Sequence, residues 1–214
     1  NGGQELVPIC LVGASLECAG ALTAPHLVAE TGSPLAEAVI TEEMPVWSSG
    51  WQYFRPRVEG GFLRFFWSPD HRAWRVQDKS GVTMELGVPL DGSGYEGGLE
   101  LNADKPEEIY RWHLTRQYDA HGSTNSSQAE PLPVNVVAYR YQQDSGMAYL
   151  SDIFDTPPAD NAVSAPLGEY AHHTRLVYEE RTDPTFSYRS GWRIDQRLRL
   201  ARVDVTSKSF SGGA

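Results

Sequence analysis

Trp74-Arg75-Val76-Gln77-Asp78-Lys79-Ser80-Gly81-Val82-Thr83-Met84-Glu85-Leu86-Gly87 is the stretch that decides the fold class. Apolar and polar residues alternate over Trp74–Asp78, as a half-buried strand requires. Lys79-Ser80-Gly81 interrupts the run with a glycine-containing turn. Alternation resumes over Val82–Gly87. Two alternating runs around such a short loop predict a β-hairpin.

The same period recurs on both sides. Upstream, Gly61–Trp67 holds Phe62, Phe65, Phe66 and Trp67 and reads as a strand, and Leu6–Val12 as a short apolar one. Residues 13–50 are rich in Ala, Gly, Ser, Thr, Pro and Glu without a sustained period, so they read as a long loop or insertion. Downstream, residues 88–108 read as a loop and Ile109–Tyr118 as a β-rich run. Val134–Tyr141 is a strand with Val134, Val136, Ala138 and Arg140 on one face, and Met147–Ile153 is its hairpin partner. Tyr170–Glu180 is a long strand. Thr182-Asp183-Pro184 and Tyr188–Gly191 read as turns. Trp192–Val205 is the longest strand, with a one-residue slip in its apolar phase that predicts a β-bulge near Leu200-Ala201. Residues 206–214 read as a frayed tail. The expected fold is all-β: antiparallel hairpins in a sandwich-like arrangement of eight to ten strands, forming a single domain over 1–214.

Composition agrees. Twenty glycines and fourteen prolines among 214 residues favour strands and turns over long helices. Six Trp, ten Tyr and seven Phe supply core volume. The formal charge of −10 argues against non-specific nucleic-acid binding. No window of 18 apolar residues spans a bilayer. The chain opens on Asn1 without a leader, which reads as a processed product or an excised piece. Cys10 and Cys18 are too few for a disulfide framework.

Candidate chemistry is sparse. Gly92-Ser93-Gly94 and Gly97-Gly98 lack the Lys-Ser/Thr of a phosphate cradle. His172 and His173 are adjacent, so on a strand they face opposite ways and share no metal. Asp152, Asp155 and Asp160 lack the alternation of a calcium loop. Glu179 and Glu180 also diverge, which is poor geometry for a paired-carboxylate hydrolase. Arg193, Arg197 and Arg199 alternate on one side; pairing with Glu179, Glu180 and Asp195 is favoured over an anion-binding stripe. Trp47, Trp51, Tyr53 and Phe54 are a candidate sugar-stacking patch, weighed against a core role. No catalytic, cofactor-binding or metal-binding residue is assigned.

Several segments, taken in order, resemble the SpvB/TcB family, which comprises the B subunit of bacterial Tc toxin complexes and the N-terminal part of Salmonella plasmid virulence protein B. Gly3–Pro8 resembles that family's first strand. Phe54-Arg55-Pro56-Arg57-Val58-Glu59-Gly60 resembles its Y-R-P-R-x-E-G segment. Trp74–Thr83 with Leu86-Gly87 resembles its hairpin, on Trp74, Gly81 and Gly87. Trp112–Arg116 with Tyr118–Gly122 resembles a step akin to a YD repeat, on Trp112, Asp119 and Gly122. The last third matches best: Tyr149–Ile153 with Asp152, Val177–Pro184 with Glu180, Asp183 and Pro184, then Tyr188-Arg189-Ser190-Gly191 and Arg197–Leu200. Ser123 stands where the family has Asn, and residues 126–133 look inserted.

The resemblance implies a structural role. In that family the B subunit joins a C subunit in a hollow β shell that holds an unfolded toxic segment, delivered through a channel-forming A subunit. This chain is then expected to be a non-enzymatic piece of the wall of a larger, secreted protein, held in the cytoplasm before release. Its expected partners are the remainder of that chain, a C-type subunit and the A-type channel. No cofactor, nucleic acid or membrane span is expected. The family's ADP-ribosyltransferase lies in a separate part, and nothing here matches it. The motif residues are expected to set strand geometry, and Gly191→Val or Trp192→Ala is expected to unfold the domain. The alternative is a small carbohydrate- or surface-binding β module using Trp47, Trp51 and Tyr53.

Overall fold

The computed structural model describes residues 6–9, 45–58, 60–123, 132–158 and 165–208. Strand β1 (Leu6–Ile9) is followed by a 3-10 turn at Val46–Ser48, then β2 (Gln52–Pro56), β3 (Arg64–Trp67), β4 (Ala73–Gln77) and β5 (Thr83–Gly87). The chain then leaves for a separate ribbon, β6 (Leu99–Asn102) and β7 (Lys105–Trp112), and returns as β8 (Leu114–Tyr118). A second excursion forms β9 (Gly122–Ser123) and β10 (Leu132–Pro133). The meander resumes with β11 (Val136–Asp144), β12 (Met147–Asp155), β13 (His172–Ser187) and β14 (Ile194–Ser207). Ten strands form one antiparallel sheet in the order β1-β2-β3-β4-β5-β8-β11-β12-β13-β14. The all-β antiparallel reading is borne out, as one broad sheet with two accessory ribbons.

Turn chemistry fixes the hairpins. The Asp78 carboxylate accepts from the Ser80 and Val82 backbone N–H groups at 2.8 and 3.0 Å, an Asx turn. Ser145 and Gly146 have φ of 51° and 81°. That pair of left-handed residues has the twist which antiparallel partners need, and it joins β11 to β12. The slip expected near Leu200-Ala201 is present: Val177 pairs with Arg202 and Tyr178 with Leu200, leaving Ala201 as the bulged residue.

Four expectations are corrected. Residues 88–108 contain β6 and the start of β7. The run Ile109–Tyr118 is broken at His113, whose N–H donates to Gly98 O and whose carbonyl accepts from Gly87 N, so β7 and β8 belong to different sheets. Thr182-Asp183-Pro184 does not reverse the chain. It lies inside β13, where the register jumps between Glu180 and Thr185; Pro184 has no N–H to give the ladder, so the strand bulges. Thr206 and Ser207 are not frayed but pair with His173 and His172. Of the 13–50 insertion, residues 13–44 lie outside the described residues, as do residues 209–214 of the tail and Gly3–Glu5 of the first motif.

One row of cross-strand partners crosses most of the sheet: Tyr53, Phe66, Arg75, Glu85, Arg116, Ala138, Phe154, His173 and Thr206. Directly opposed residues share a face. This face is the buried one at its centre: Tyr53, Phe66, Glu85, Arg116 and Ala138 are all buried. Trp47 covers it from the 3-10 turn, edge-on to Phe66 at 4.8 Å, and Tyr170 covers it further along, 6.3 Å from Phe154. β5 therefore buries Thr83, Glu85 and Gly87, while Met84 and Leu86 stay half-exposed. The alternation located the strand, but its polar side faces inward.

Candidate functional site

The buried row has an ionic centre. Glu85 is fully buried and lies 3.0 Å from Arg75 Nη2 and 3.8 Å from Arg116 Nη1. It also accepts from the Tyr118 hydroxyl at 3.0 Å and the Leu90 N–H at 2.9 Å. Burial, then the Glu85 carboxylate, pushes the Tyr118 phenol well above its ordinary range. The Arg75 guanidinium stacks over Trp47 at 4.0 Å. The centre holds one carboxylate between two guanidinium groups under a tryptophan lid. That geometry positions strands and leaves no reacting group open to solvent.

On the opposite face Trp67 and Trp74 are direct cross-strand partners, stacked at 5.4 Å. Trp112 stands edge-on to both, and His71 stacks on Trp67 at 3.8 Å. The indole N–H groups of Trp67 and Trp112 both donate to the His71 carbonyl, at 3.3 and 3.0 Å. The ring cluster locks β3, β4 and the end of β7 together.

A cleft of about 480 Å³ opens between the β6–β7 ribbon and the tip of the β13–β14 hairpin. Glu100 lines its inner end, 1 % exposed, with His113 Nε2 and the Ala148 N–H at 3.0 and 3.1 Å and Arg111 at 3.1 Å. Burial alone would raise the Glu100 pKa; the hydrogen bonds of His113 and Ala148 outweigh it and hold the carboxyl below its ordinary range.

The third surface is the outer end of the sheet. β14 is the edge strand in this order. Leu200, Val203 and Val205 are 49, 48 and 70 % exposed there. They pair with Tyr178, Leu176 and Thr174 on one face of the ribbon.

The motif residues are spread over the sheet. Arg55 and Pro56 lie in β2, Arg57 and Gly60 just beyond it, and Glu59 is outside the described residues. Trp74, Gly87 and Trp112 come together at the ring cluster. Gly81 sits against Ala120, beside the turn where Asp119 accepts from Asn135 Nδ2 at 2.7 Å; the hydrogen bond from Asn135 leads those lowering the Asp119 pKa. Gly122 is in β9. Asp152 pairs with His173 at 2.8 Å, Glu180 with Arg197 at 3.8 Å, and Asp183 with Arg181 at 3.1 Å, beside Pro184 in the β13 bulge. Tyr188, Arg189 and Gly191 occupy the hairpin tip, where Arg189 lines the cleft.

The arginine stripe makes the pairs expected of it: Arg193 with Asp195, Arg197 with Glu180, and Arg199 with Glu179. Of the two readings weighed for the aromatic patch, the core role holds for Trp51 and Tyr53. Trp51 and Tyr53 are core residues, 8 and 1 % exposed, so the binding-module alternative loses its platform. Among the described residues no three His, Cys, Asp or Glu side chains gather as a metal would need. Among them, too, no helix is long and apolar enough to cross a membrane.

Sequence reading missed Glu85, Arg116 and Glu100. The one available signal was a carboxylate inside a strand pattern; nothing in the pattern said which face was buried.

Gly191 has φ of +93° and open space around its Cα. Gly191→Val is therefore expected to cost strain alone, about 1–2 kcal/mol. A denaturant melt should show the variant folded, which revises the unfolding expected from sequence.

No protein-family profile matches the chain, and no curated protein sequence does. Solved structures do. The N-terminal domain of the effector protein SpvB from Salmonella typhimurium strain LT2 superposes with a TM-score of 0.56 at 14 % identity, over 75 % of this chain and 59 % of that one. This chain has the SpvB-type fold. The complex TcdB2-TccC3-Cdc42 gives 0.55 at 14 % identity over 73 % of this chain, and the Photorhabdus luminescens Tc holotoxin pore gives 0.53 at 16 % over 74 %. The chain spans 59 % of the SpvB domain's length and only 9 % of each of the two Tc chains. The relation to Tc toxin B-type proteins is thus one of fold.

Proposed function

We propose that this SpvB-type chain is a non-enzymatic structural segment of a secreted toxin-complex B-type protein, one panel of a β shell enclosing a toxic segment. One observation carries the reading: among the described residues the sheet ends on β14, an edge strand with Leu200, Val203 and Val205 exposed. An edge strand offers unpaired N–H and C=O groups; Arg199, Arg202 and Asp204 charge one face of this one, while the apolar trio on the other face has no cover among the described residues. A following strand of a larger wall would cover these three side chains. The likeness to SpvB and to Tc assemblies adds support. The partners are then the rest of the polypeptide, a C-type subunit and a channel-forming A-type subunit. The motif turns at Gly81, Asp119 and Gly191 serve strand geometry.

The test is an immunoblot of the source organism with antibody raised against residues 172–207. A band several times larger than the 23.7 kDa of this chain is expected. A sole band near that mass, in fresh lysate with protease inhibitors present, sinks the wall reading.

A further inference from the structure

We infer that the cleft between the β6–β7 ribbon and the β13–β14 tip is a recognition site for a carboxylate carried by a polypeptide segment. This goes beyond the shell reading and does not depend on it.

The charge inventory of the cleft is uneven. Two guanidinium groups line it, Arg111 and Arg189. The single carboxylate lining it, Glu100, is buried and already shared among His113, the Ala148 N–H and Arg111. Arg189 has no such claim on it. Among the described residues, its guanidinium makes no hydrogen bond, ion pair or ring contact, a condition shared only with Arg175. Every other described arginine is engaged. In a chain of net charge −10, carboxylates abound, yet among the described residues none pairs with Arg189; Asp195, near the tip, is taken by Arg193.

The rest of the lining suits a peptide. Met147, Phe186 and Ile194 provide an apolar wall. Ser187, Ser190 and Gln196 add hydroxyl and amide groups that can both donate and accept. Phe186 is 61 % exposed and held by Arg193 stacking at 4.9 Å, so an aromatic side is presented to solvent without collapsing. A guanidinium fork receives a carboxylate through two parallel N–H donors, and an apolar wall beside it takes the neighbouring side chain. A short segment with an acidic residue flanked by leucine-sized residues meets both.

The probe is an amidated pentapeptide with one central glutamate between leucines, titrated into the full 214-residue chain by ¹H–¹⁵N NMR. The Trp192 indole reports, because its ring stands edge-on to Tyr110 in the cleft wall at 6.2 Å. Saturable shifts of that signal are expected. Affinity should fall about tenfold in Arg189→Gln, the scale of one lost charge-assisted hydrogen-bonded contact. It should fall by less in Arg189→Lys, which keeps the charge but not the two parallel donors, and stay unchanged in Arg175→Gln. Equal binding of the matching glutamine peptide, or an undiminished Arg189→Gln, overturns the proposal. So does a cleft that responds to inorganic phosphate but not to the peptide, which would make it a small-anion site.

Discussion

Glu85→Ala is expected to destabilise the protein by about 3–5 kcal/mol, the cost of removing one partner from a buried charge cluster. The substitution leaves Arg75 and Arg116 facing each other across the strand that separated them, with side chains 11 and 5 % exposed. Water cannot readily take the place of the lost carboxylate. Arg75 Nε and Arg116 Nη2 already lack hydrogen-bond partners among the described residues, so the cluster has no reserve. Two further donors, the Tyr118 hydroxyl and the Leu90 N–H, lose their acceptor as well. For a chain of this size the melting temperature should drop by roughly 6–20 °C. Glu85→Gln keeps an acceptor and the side-chain shape but not the charge, so its loss should be smaller. Thermal melts followed by circular dichroism decide the matter. A Glu85→Ala protein that melts within about 2 °C of the parent would mean the cluster is solvated in solution.

The second large effect is expected at Gly87. Its φ is +83°, a region L side chains rarely adopt, and a Cβ there would run into the Arg72 carbonyl oxygen and come within 2.7 Å of Trp112 Cδ1. Neither obstacle can retreat. The Arg72 carbonyl accepts from the Val88 N–H at 3.1 Å, and the Gly87 N–H itself donates to His113 O at 2.8 Å. Gly87→Val therefore combines backbone strain with overpacking, each of order 1–3 kcal/mol, for a total of roughly 2–6 kcal/mol. Gly191→Val is the control, because its φ is also positive while its surroundings are open. Denaturant melts of the two variants should separate clearly. Equal midpoints would show that the packing around Gly87 yields more easily than its neighbours suggest.

What could be read from sequence divides along one physical line. A period of two reports that a segment is extended, so the β4–β5 hairpin, the β11–β12 pair and the bulge at Ala201 were all legible. The period does not report which face is covered. In β5 the covered face is that of Thr83, Glu85 and Gly87, because the ionic row and Trp47 lie on that side. The same inversion put Trp51 and Tyr53 in the core and left Trp67, Trp74 and Trp112 half-exposed. Short strands were hidden for another reason. β6 has four residues between Gly97-Gly98 and Ala103-Asp104, too few for a period to register. Residues 182–184 have the composition of a turn, yet a bulge uses the same residues. As for the site, Arg189 was singled out for its place in a motif. Its position on the cleft depends on the β6–β7 ribbon, of which the sequence pattern shows only the end from Ile109 onward.

The order of strands in the sheet bears on how the chain acquires its shape. Most neighbours in the sheet are also neighbours along the polypeptide, so most pairing steps close only a tight turn. Four joints do not: β1 to β2, β5 to β8, β8 to β11, and β12 to β13 across residues 156–171. Each requires an intervening stretch to be looped out before its edges can meet. The entropy of such closure rises only slowly with length, by about 0.6 kcal/mol per doubling. The ring cluster at Trp112 and the inter-strand bonds of His113 hold the second joint, and Arg116 against Glu85 rewards its closure. A nascent chain can therefore zip β2 through β5 as it emerges, and β11 through β14 after it. Whether the two halves become one sheet is decided at a single short strand, β8, whose arrival completes the charge cluster begun by Arg75 and Glu85 and presents its other edge to β11.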